Sequence, residues 1–185
     1  WVGYSADGGQ VVLRNLGVSI LLFGLGPPAL AADVTRIQIG DQVVLIRRTD
    51  GRKAWSYSRD GGVTFSRQAP TTDLIGLRYA VFDPRTGQPP IPAPLLAPKA
   101  SKLALVQFVC PPVDAAREAV SAAGGVIRSF IPNNAYLCEL PDGAADRLAA
   151  CPLVRSISAF HPAFKLDEAT AKAVLSPQDA ASLPK

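Results

Sequence analysis

The stretch between Leu103 and Phe160 constrains the fold of this chain most, because its hydrophobic period alternates between that of a strand and that of a helix. Four short apolar runs rich in β-forming residues predict strands at Leu103–Val109, Val126–Ile131, Ala135–Leu140 and Leu153–Phe160. Two segments with helical spacing lie between them, at 113–123 and 142–151. The sequence therefore predicts the element order β-α-β-β-α-β.

The ends of both helices are also marked. Gly124 and Gly125 are expected to end the first helix, because glycine accepts the left-handed conformation without a Cβ clash. Asp142 can accept hydrogen bonds from the first turn of the second helix, and Pro152 prevents its continuation. Right-handed crossovers place both helices on one sheet face. We therefore predict an α+β fold, with a ferredoxin-like βαββαβ plait at 103–166 whose opposite sheet face is open.

Three strings in this region are distinctive: LVQF at 105–108, IPNNAYL at 131–137 and FHPAFK at 160–165. With them, the stretch from about Leu77 to Leu166 resembles the N-terminal pro-region of secreted subtilisin-like serine proteases. The resemblance implies an intramolecular chaperone and temporary inhibitor of a protease domain that lies C-terminal in the same precursor. It also implies that the open sheet face docks on the protease. The segment after Phe160 would then enter the active-site cleft as an extended strand.

Strand alternation indicates which positions would face that partner. Gln107 shares a face with Leu103 and Leu105, and Glu139 shares a face with Ala135 and Leu137. The full set of expected docking residues is Leu103, Leu105, Gln107, Ala135, Leu137, Glu139, Phe160, His161, Pro162, Phe164 and Lys165. The alternative is that this face packs on the chain's own N-terminal β-hairpins.

The first 32 residues have the layout of a secretory signal peptide. A ten-residue apolar run, Leu16–Leu25, follows Arg14 and precedes Gly26-Pro27-Pro28 and a small-residue cleavage pattern. Because a bilayer core needs roughly twenty residues of helix, we expect no stable membrane insertion. The expectation is a secreted or periplasmic protein cleaved near Ala31, although a buried helix or strand would also fit. The chain contains no Met, which suggests a fragment of a longer reading frame.

Residues 33–70 are predicted to form β-hairpins, with a turn at Thr49–Arg52 and a last pair of strands at Lys53–Arg59 and Val63–Gln68. The string from Ser58 to Phe65 matches an Asp-box turn, with Ser58, Asp60, Gly62, Thr64 and Phe65 at its defining positions. A related string, Tyr4–Gly9, lies 53 residues earlier, which is close to the repeat length of some propeller blades. A fragment of an Asp-box β-propeller is therefore an alternative reading.

Two connecting segments complete the predicted organisation. Residues 71–102 include five prolines within Gln88–Pro98, which predicts a stiff extended connector. Within this segment Leu77–Phe82 could add an edge strand, and Asp83–Gly87 is expected to form a turn. Residues 167–185 are expected to be a flexible linker with a short helix at Asp167–Leu175.

The sequence predicts no catalysis by this chain alone and no cofactor. A subtilase needs Ser, His and Asp together, and the one histidine, His161, has no nucleophile segment to serve. It could instead sense pH during release of the pro-region. Cys110, Cys138 and Cys151 lack metal-ligand spacing, so buried thiols are expected, with a Cys138–Cys151 bridge conceivable.

The net charge of +4 is spread thinly, with no run of Lys or Arg longer than two residues. This distribution argues against nucleic-acid binding. The leading hypothesis is thus a non-catalytic pro-region of an exported subtilase. Its main rival is an exported protein- or peptide-binding module unrelated to proteolysis.

Overall fold

The computed structural model describes residues 12–15, 18–21 and 33–173. The chain divides into two compact units, Trp1–Thr72 and Asp73–Lys185. In the first unit, β1 (Val12–Asn15) pairs antiparallel with β2 (Val18–Leu21), which falls inside the apolar run of the expected signal peptide. The expected cleavage position near Ala31 and the Tyr4–Gly9 string lie outside the described residues.

The described residues of the first unit also contain a four-stranded antiparallel sheet. Its strands are β3 (Asp33–Ile39), β4 (Gln42–Thr49), β5 (Arg52–Ser58) and β6 (Ala69–Thr71), and they lie side by side in chain order. Asp50 and Gly51 both have positive φ in the turn between β4 and β5, as the Asp-Gly pair predicts.

The fourth strand of this sheet differs from the prediction. We expected Val63–Gln68 to be a strand, but the strand is Ala69–Thr71, and Ala69 lies opposite Trp55. The reason is local: the carboxylate of Asp60 accepts the backbone N–H groups of Val63 and Thr64, so these groups are not available to a sheet ladder.

The second unit contains the predicted plait. Its elements are β7 (Ile75–Gly76), β8 (Val81–Phe82), β9 (Leu103–Phe108), α1 (Asp114–Ala122), β10 (Val126–Ile131), β11 (Ala135–Glu139), α2 (Ala144–Ala149), β12 (Val154–Ala159) and α3 (Glu168–Ala173). The main sheet has the order β10-β11-β9-β12, and all its neighbours are antiparallel. The ferredoxin-like α+β fold is thereby confirmed.

The helix-facing side of this sheet holds the predicted core. The stripe of α1 is buried, including Val113, Ala116 and Val120, and it shares this core with fully buried side chains such as Val106 and Phe108. Gly124 has a φ of +80°, as expected for the residue that ends α1. Among the described helices, none combines the length and apolar character needed to cross a bilayer.

The predicted start of α2 needs a correction. Asp142 was expected to cap this helix, but α2 begins after Gly143, which has a φ of +71°, and no side chain caps it. Asp142 stands one residue too early to reach the first free N–H groups. The helix is secured elsewhere, because the Nη2 of Arg147 donates to the carbonyl oxygen of Ala123 at 2.9 Å.

The connector is not an extended linker. Residues 73–101 belong to the second compact unit, and they contain β7, β8 and a short 3₁₀ helix at Ala93–Leu95. The turn expected at Asp83–Gly87 is present: the N–H groups of Thr86 and Gly87 both donate to the carbonyl oxygen of Asp83. We call residues Asp73–Ala97 the strap, because they lie across the outer face of the main sheet.

Candidate functional site

The outer face of the plait is covered by the chain itself. Leu105, Gln107 and Ala135 have no exposed surface, and Phe160 and Phe164 are buried. Leu103, Leu137, Glu139 and His161 are half-buried, whereas Pro162 and Lys165 are exposed. The prediction of an open face is therefore wrong for this conformation. The alternative we considered assigned this role to the N-terminal β-hairpins, whereas the cover observed here is the strap, a segment of the same compact unit as the plait.

An apolar cluster joins the strap to the sheet. Its buried members are Tyr79, Leu105, Phe160, Ala163, Phe164 and Ala171, and the strap adds the partly buried Leu77, Ala80, Phe82, Ile91 and Leu95. The Phe164 ring lies at the centre, with centroid distances of 6.0 Å to Tyr79, 5.8 Å to Phe82 and 5.7 Å to Phe160. Tilted aromatic pairs at this range each add about 0.5–1.5 kcal/mol beyond area burial.

The segment after the last strand is also folded into this cluster. Residues Pro162–Lys165 form a 3₁₀ helix, and Phe164 is buried within it. The expectation that His161–Lys165 is an extended tail is therefore wrong here. Proline at the first helical position and the apolar contacts of Phe164 both favour the turn over an extended strand.

A polar cluster lies beside the apolar one, centred on Arg155. Its Nη1 and Nη2 donate to the two carboxylate oxygens of Asp83 at 2.5 and 2.7 Å, and its Nε is 3.1 Å from Oδ1 of Asp73. The oxygen of the Gln107 side chain accepts from Arg155 at 2.8 Å and from Ser156 at 3.2 Å. The Gln107 amide nitrogen donates to the carbonyl oxygen of Asp73 at 2.7 Å.

This arrangement is a nearly desolvated charge cluster. The Arg155 side chain is 10% exposed and that of Asp83 is 16% exposed. The hydrogen bonds from Arg155 lower the pKa of Asp83 below its ordinary value, so the carboxylate stays charged. Two-point Arg–carboxylate contacts of this kind are among the strongest hydrogen bonds in proteins. Sequence reasoning did not identify Arg155 as a functional residue, because a single Arg in a strand usually faces solvent.

His161 holds the far end of the strap. Its Nδ1 accepts the N–H of Ala97 at 2.9 Å, and its Nε2 lies 3.1 Å from the side-chain oxygen of Gln88. Acceptance at Nδ1 requires the neutral imidazole, with the proton on Nε2 facing Gln88. Burial lowers the pKa of His161, which favours the same neutral form.

The Asp-box turn of the first unit makes the hydrogen bonds that such a turn requires. Asp60 accepts from the N–H groups of Val63 and Thr64 at 3.0 and 2.9 Å and from both hydroxyl groups, of Ser58 and Thr64, at 2.6 Å. These bonds, first those of the two hydroxyl groups, lower the pKa of Asp60. Gly62 has a φ of +96°. Phe65 is 37% exposed, so the aromatic ring is less covered than we expected.

The cysteines form no bridge. No disulfide joins any two of Cys110, Cys138 and Cys151, which rules out the conceivable Cys138–Cys151 bridge in this structure. Burial raises the pKa of Cys138 to about 12, so its thiol is inert near neutral pH. In the part of the chain that the structure describes, no group of three or more His, Cys, Asp or Glu residues could hold a metal ion.

Comparison with known proteins gives one match. A family model described as a domain of unknown function (DUF8729) matches residues 76–161. No curated protein and no solved structure matches this chain. The matched range includes most of the strap as well as the plait, in agreement with their packing as one compact unit.

Proposed function

We propose that this chain is the pro-region of an exported subtilisin-like serine protease, non-catalytic by itself, which assists the folding of the protease domain and inhibits it temporarily. The observation that carries the proposal is the plait at 103–159 with the IPNNAYL string at its central hairpin. Asn133 and Asn134 have φ values of 66° and 71°, so the string forms the tight turn that joins β10 to β11. The partner would be the protease domain of the same precursor.

The test is inhibition of a subtilisin-type protease by the purified chain. We expect slow, tight inhibition that weakens as the chain is cut, and a higher yield when the denatured protease is refolded with the chain present. A chymotrypsin-type serine protease is the matched control, because it has the same catalytic groups on an unrelated fold. Digestion of the chain by both enzymes at equal rates, with no inhibition, would rule the proposal out.

Export is part of the same proposal. The basic residue, short apolar run and small residues before Ala31 support cleavage of a signal peptide near that position. N-terminal sequencing of the protein secreted from a host that expresses the whole gene would find a start close to Ala32. A start far upstream of Leu16 would contradict export by this segment.

A binding module unrelated to proteolysis is the second candidate. The edge strand β10 favours it, since Phe130 on this strand is 57% exposed and Val126 is 48% exposed. An extended peptide could add to such an edge by backbone pairing. Under this reading, Phe130→Asp abolishes peptide binding. Under the pro-region reading, the gene encodes a domain with Asp, His and Ser after Lys185.

The first unit favours a further alternative, a fragment of an Asp-box β-propeller. Its four strands lie in chain order in one antiparallel sheet, which is the build of a propeller blade, and the Asp-box turn follows the third strand. This reading predicts further Asp-box repeats encoded upstream of Trp1. Sequencing the gene on both sides of this chain distinguishes the three possibilities.

A further inference from the structure

We propose that the strap is an intramolecular cover that competes with the protease domain for the outer face of the plait, and that the ion pair between Arg155 and Asp83 is its latch. This inference rests on the function proposed above, and it concerns how that function is regulated. It predicts that the free chain is a closed, slow-acting inhibitor.

Competition follows from burial. Leu105 and Gln107 lie in the middle of the outer face, and neither has surface that a partner could reach while the strap is in place. The side chains of Tyr79 and Phe82 pack where a protein partner of this face would have to bind. Any partner that uses this face must therefore displace the strap first.

The strap can leave without breaking the main sheet. Its two short strands, β7 and β8, pair with each other and are not members of the β10-β11-β9-β12 sheet. Backbone bonds between strap and plait include that from Gly76 N–H to the Pro132 carbonyl oxygen, at 3.3 Å. The hydroxyl group of Ser158, which lies opposite Leu105 on the same face, is buried without a hydrogen-bond partner among the described residues. Opening the strap would hydrate this hydroxyl group.

Arg155 is the latch because it binds both ends of the segment from Asp73 to Asp83, the first half of the strap, to the main sheet. Asp73 begins the strap and Asp83 directly follows β8, and both carboxylates contact the guanidinium group of Arg155 on β12. Of the two carboxylates, Asp83 makes the two-point contact and is the less exposed, so its loss leaves Asp73, which is 29% exposed, as the carboxylate that pairs with Arg155. Neutralising Asp83 should therefore shift the balance toward the open form without removing contacts within the plait.

The test compares Asp83→Asn with Asp114→Asn in the full chain. Asparagine keeps an acceptor for the Arg85 N–H, which bonds Oδ1 of Asp83 at 2.9 Å, but it removes the charge. Asp114 pairs with Arg117 in an exposed ion pair on α1, away from the outer face, so its amide variant is a matched control for loss of a carboxylate. Hydrogen exchange of the Gly76 and Ala97 amides reports strap opening, and amides of β9 report the plait.

We expect Asp83→Asn to speed exchange of the strap amides by roughly tenfold or more, because hydrogen bonds to charged groups are stronger than neutral ones. The β9 amides should be unchanged, and inhibition of a subtilisin-type protease should begin faster than with the unmodified chain or with Asp114→Asn. Equal strap exchange in both variants would overturn the latch, as would equal acceleration of the strap and β9 amides.

The two proposals can fail separately. If Asp83→Asn opens the strap but neither it nor the unmodified chain inhibits the protease, the latch stands and the pro-region function fails. If the strap opens and inhibition begins no faster than with the unmodified chain, the competition for the outer face is refuted.

Discussion

At the scale of single residues, Gln107 illustrates what the sequence could and could not predict. Strand alternation correctly placed it on the face opposite the helices. Its complete burial was not predictable, because its partner is the carbonyl oxygen of Asp73, 34 positions earlier in the chain. Local patterns reveal which face a side chain joins, whereas the identity of the cover depends on a long-range contact.

His161 should make the strap sensitive to mild acid. Its folded-state pKa is lowered by burial, so between that value and the ordinary 6.5 the unfolded or opened chain binds more protons. Neutral His161 therefore stabilises the closed strap fully above pH 6.5, and this stabilisation is lost as the pH falls from 6.5 to the lowered pKa. We expect exchange of the Ala97 amide, corrected for its intrinsic pH dependence, to rise as the histidine becomes charged.

The variant His161→Asn tests this interpretation, since its side-chain oxygen can accept the Ala97 N–H and does not titrate. This variant should protect the strap amides from exchange at neutral pH, but it should lack the increase in Ala97 exchange below pH 6.5. A second increase in strap exchange, at lower pH, should remain in both the unmodified chain and the variant. Because the pKa of Asp83 is lowered, its carboxylate stabilises the closed strap fully above pH 3.8, and this stabilisation is lost as the pH falls below that value. An identical acid step in His161→Asn would show that another group is responsible.

At the scale of elements, long periodic segments were predictable and short ones were not. The β10 strand was predicted with its observed bounds, and α1 was predicted within one residue at each end. In the strap, β8 falls within the edge strand expected at Leu77–Phe82, but it pairs with β7 and not with the main sheet. The prolines of Gln88–Pro98 suggested a linker. The fourth strand of the first unit was misplaced because the Asp-box uses the backbone that the alternation assigned to a strand.

The junction between α1 and β10 should be intolerant of even a methyl group. A Cβ at Gly125 would lie 2.8 Å from Cδ2 of Leu140 and 3.1 Å from the Val120 carbonyl oxygen. We expect Gly125→Ala to reduce the free energy of unfolding by about 1–3 kcal/mol, the usual cost of overpacking. Thermal or denaturant unfolding measures this. Gly76→Ala is the control, because its nearest neighbours stand at 3.5 Å and the change should be nearly neutral.

The Asp-box turn should depend on a single carboxylate. Replacing Asp60 by Ala removes the acceptor for the N–H groups of Val63 and Thr64, so their amides should exchange much faster. Asp41→Ala is a suitable comparison. The backbone carbonyl oxygen of Asp41 accepts the Gly61 N–H at 2.9 Å, and the substitution keeps this oxygen. Equal exchange in the two variants would mean that the backbone alone holds the turn.

At the scale of the whole molecule, the plait and its cover form one folding unit although the sequence suggested a domain and a linker. The plait was predictable because each of its elements satisfies a local pattern and one compact topology suits that order. The cover was not, because Tyr79, Phe82 and Ile91 are spaced irregularly between prolines and turns. What makes them a layer is the aromatic cluster around Phe164, which joins segments from the two ends of the unit.

The last prediction concerns how firmly this layer is held when it is no longer one continuous chain. The turn from Arg85 to Gln88 is exposed, so a site-specific protease sequence can be inserted after Thr86. Cutting there leaves the fragment ending at Thr86 attached to the plait only by noncovalent contacts, chiefly the apolar cluster and the Arg155 pair. Cutting also removes the high effective concentration of the strap near the plait that the intact chain provides.

We expect the cut chain to remain one particle in size-exclusion chromatography at micromolar concentration, and the same cut in Asp83→Asn to dissociate at a concentration roughly tenfold higher. The Asp114→Asn variant should behave like the unmodified chain, because its ion pair with Arg117 is exposed and lies within α1. Dissociation of all three at the same concentration would mean that apolar contacts alone hold the strap. In that case the charge cluster would orient the strap without setting how readily it opens.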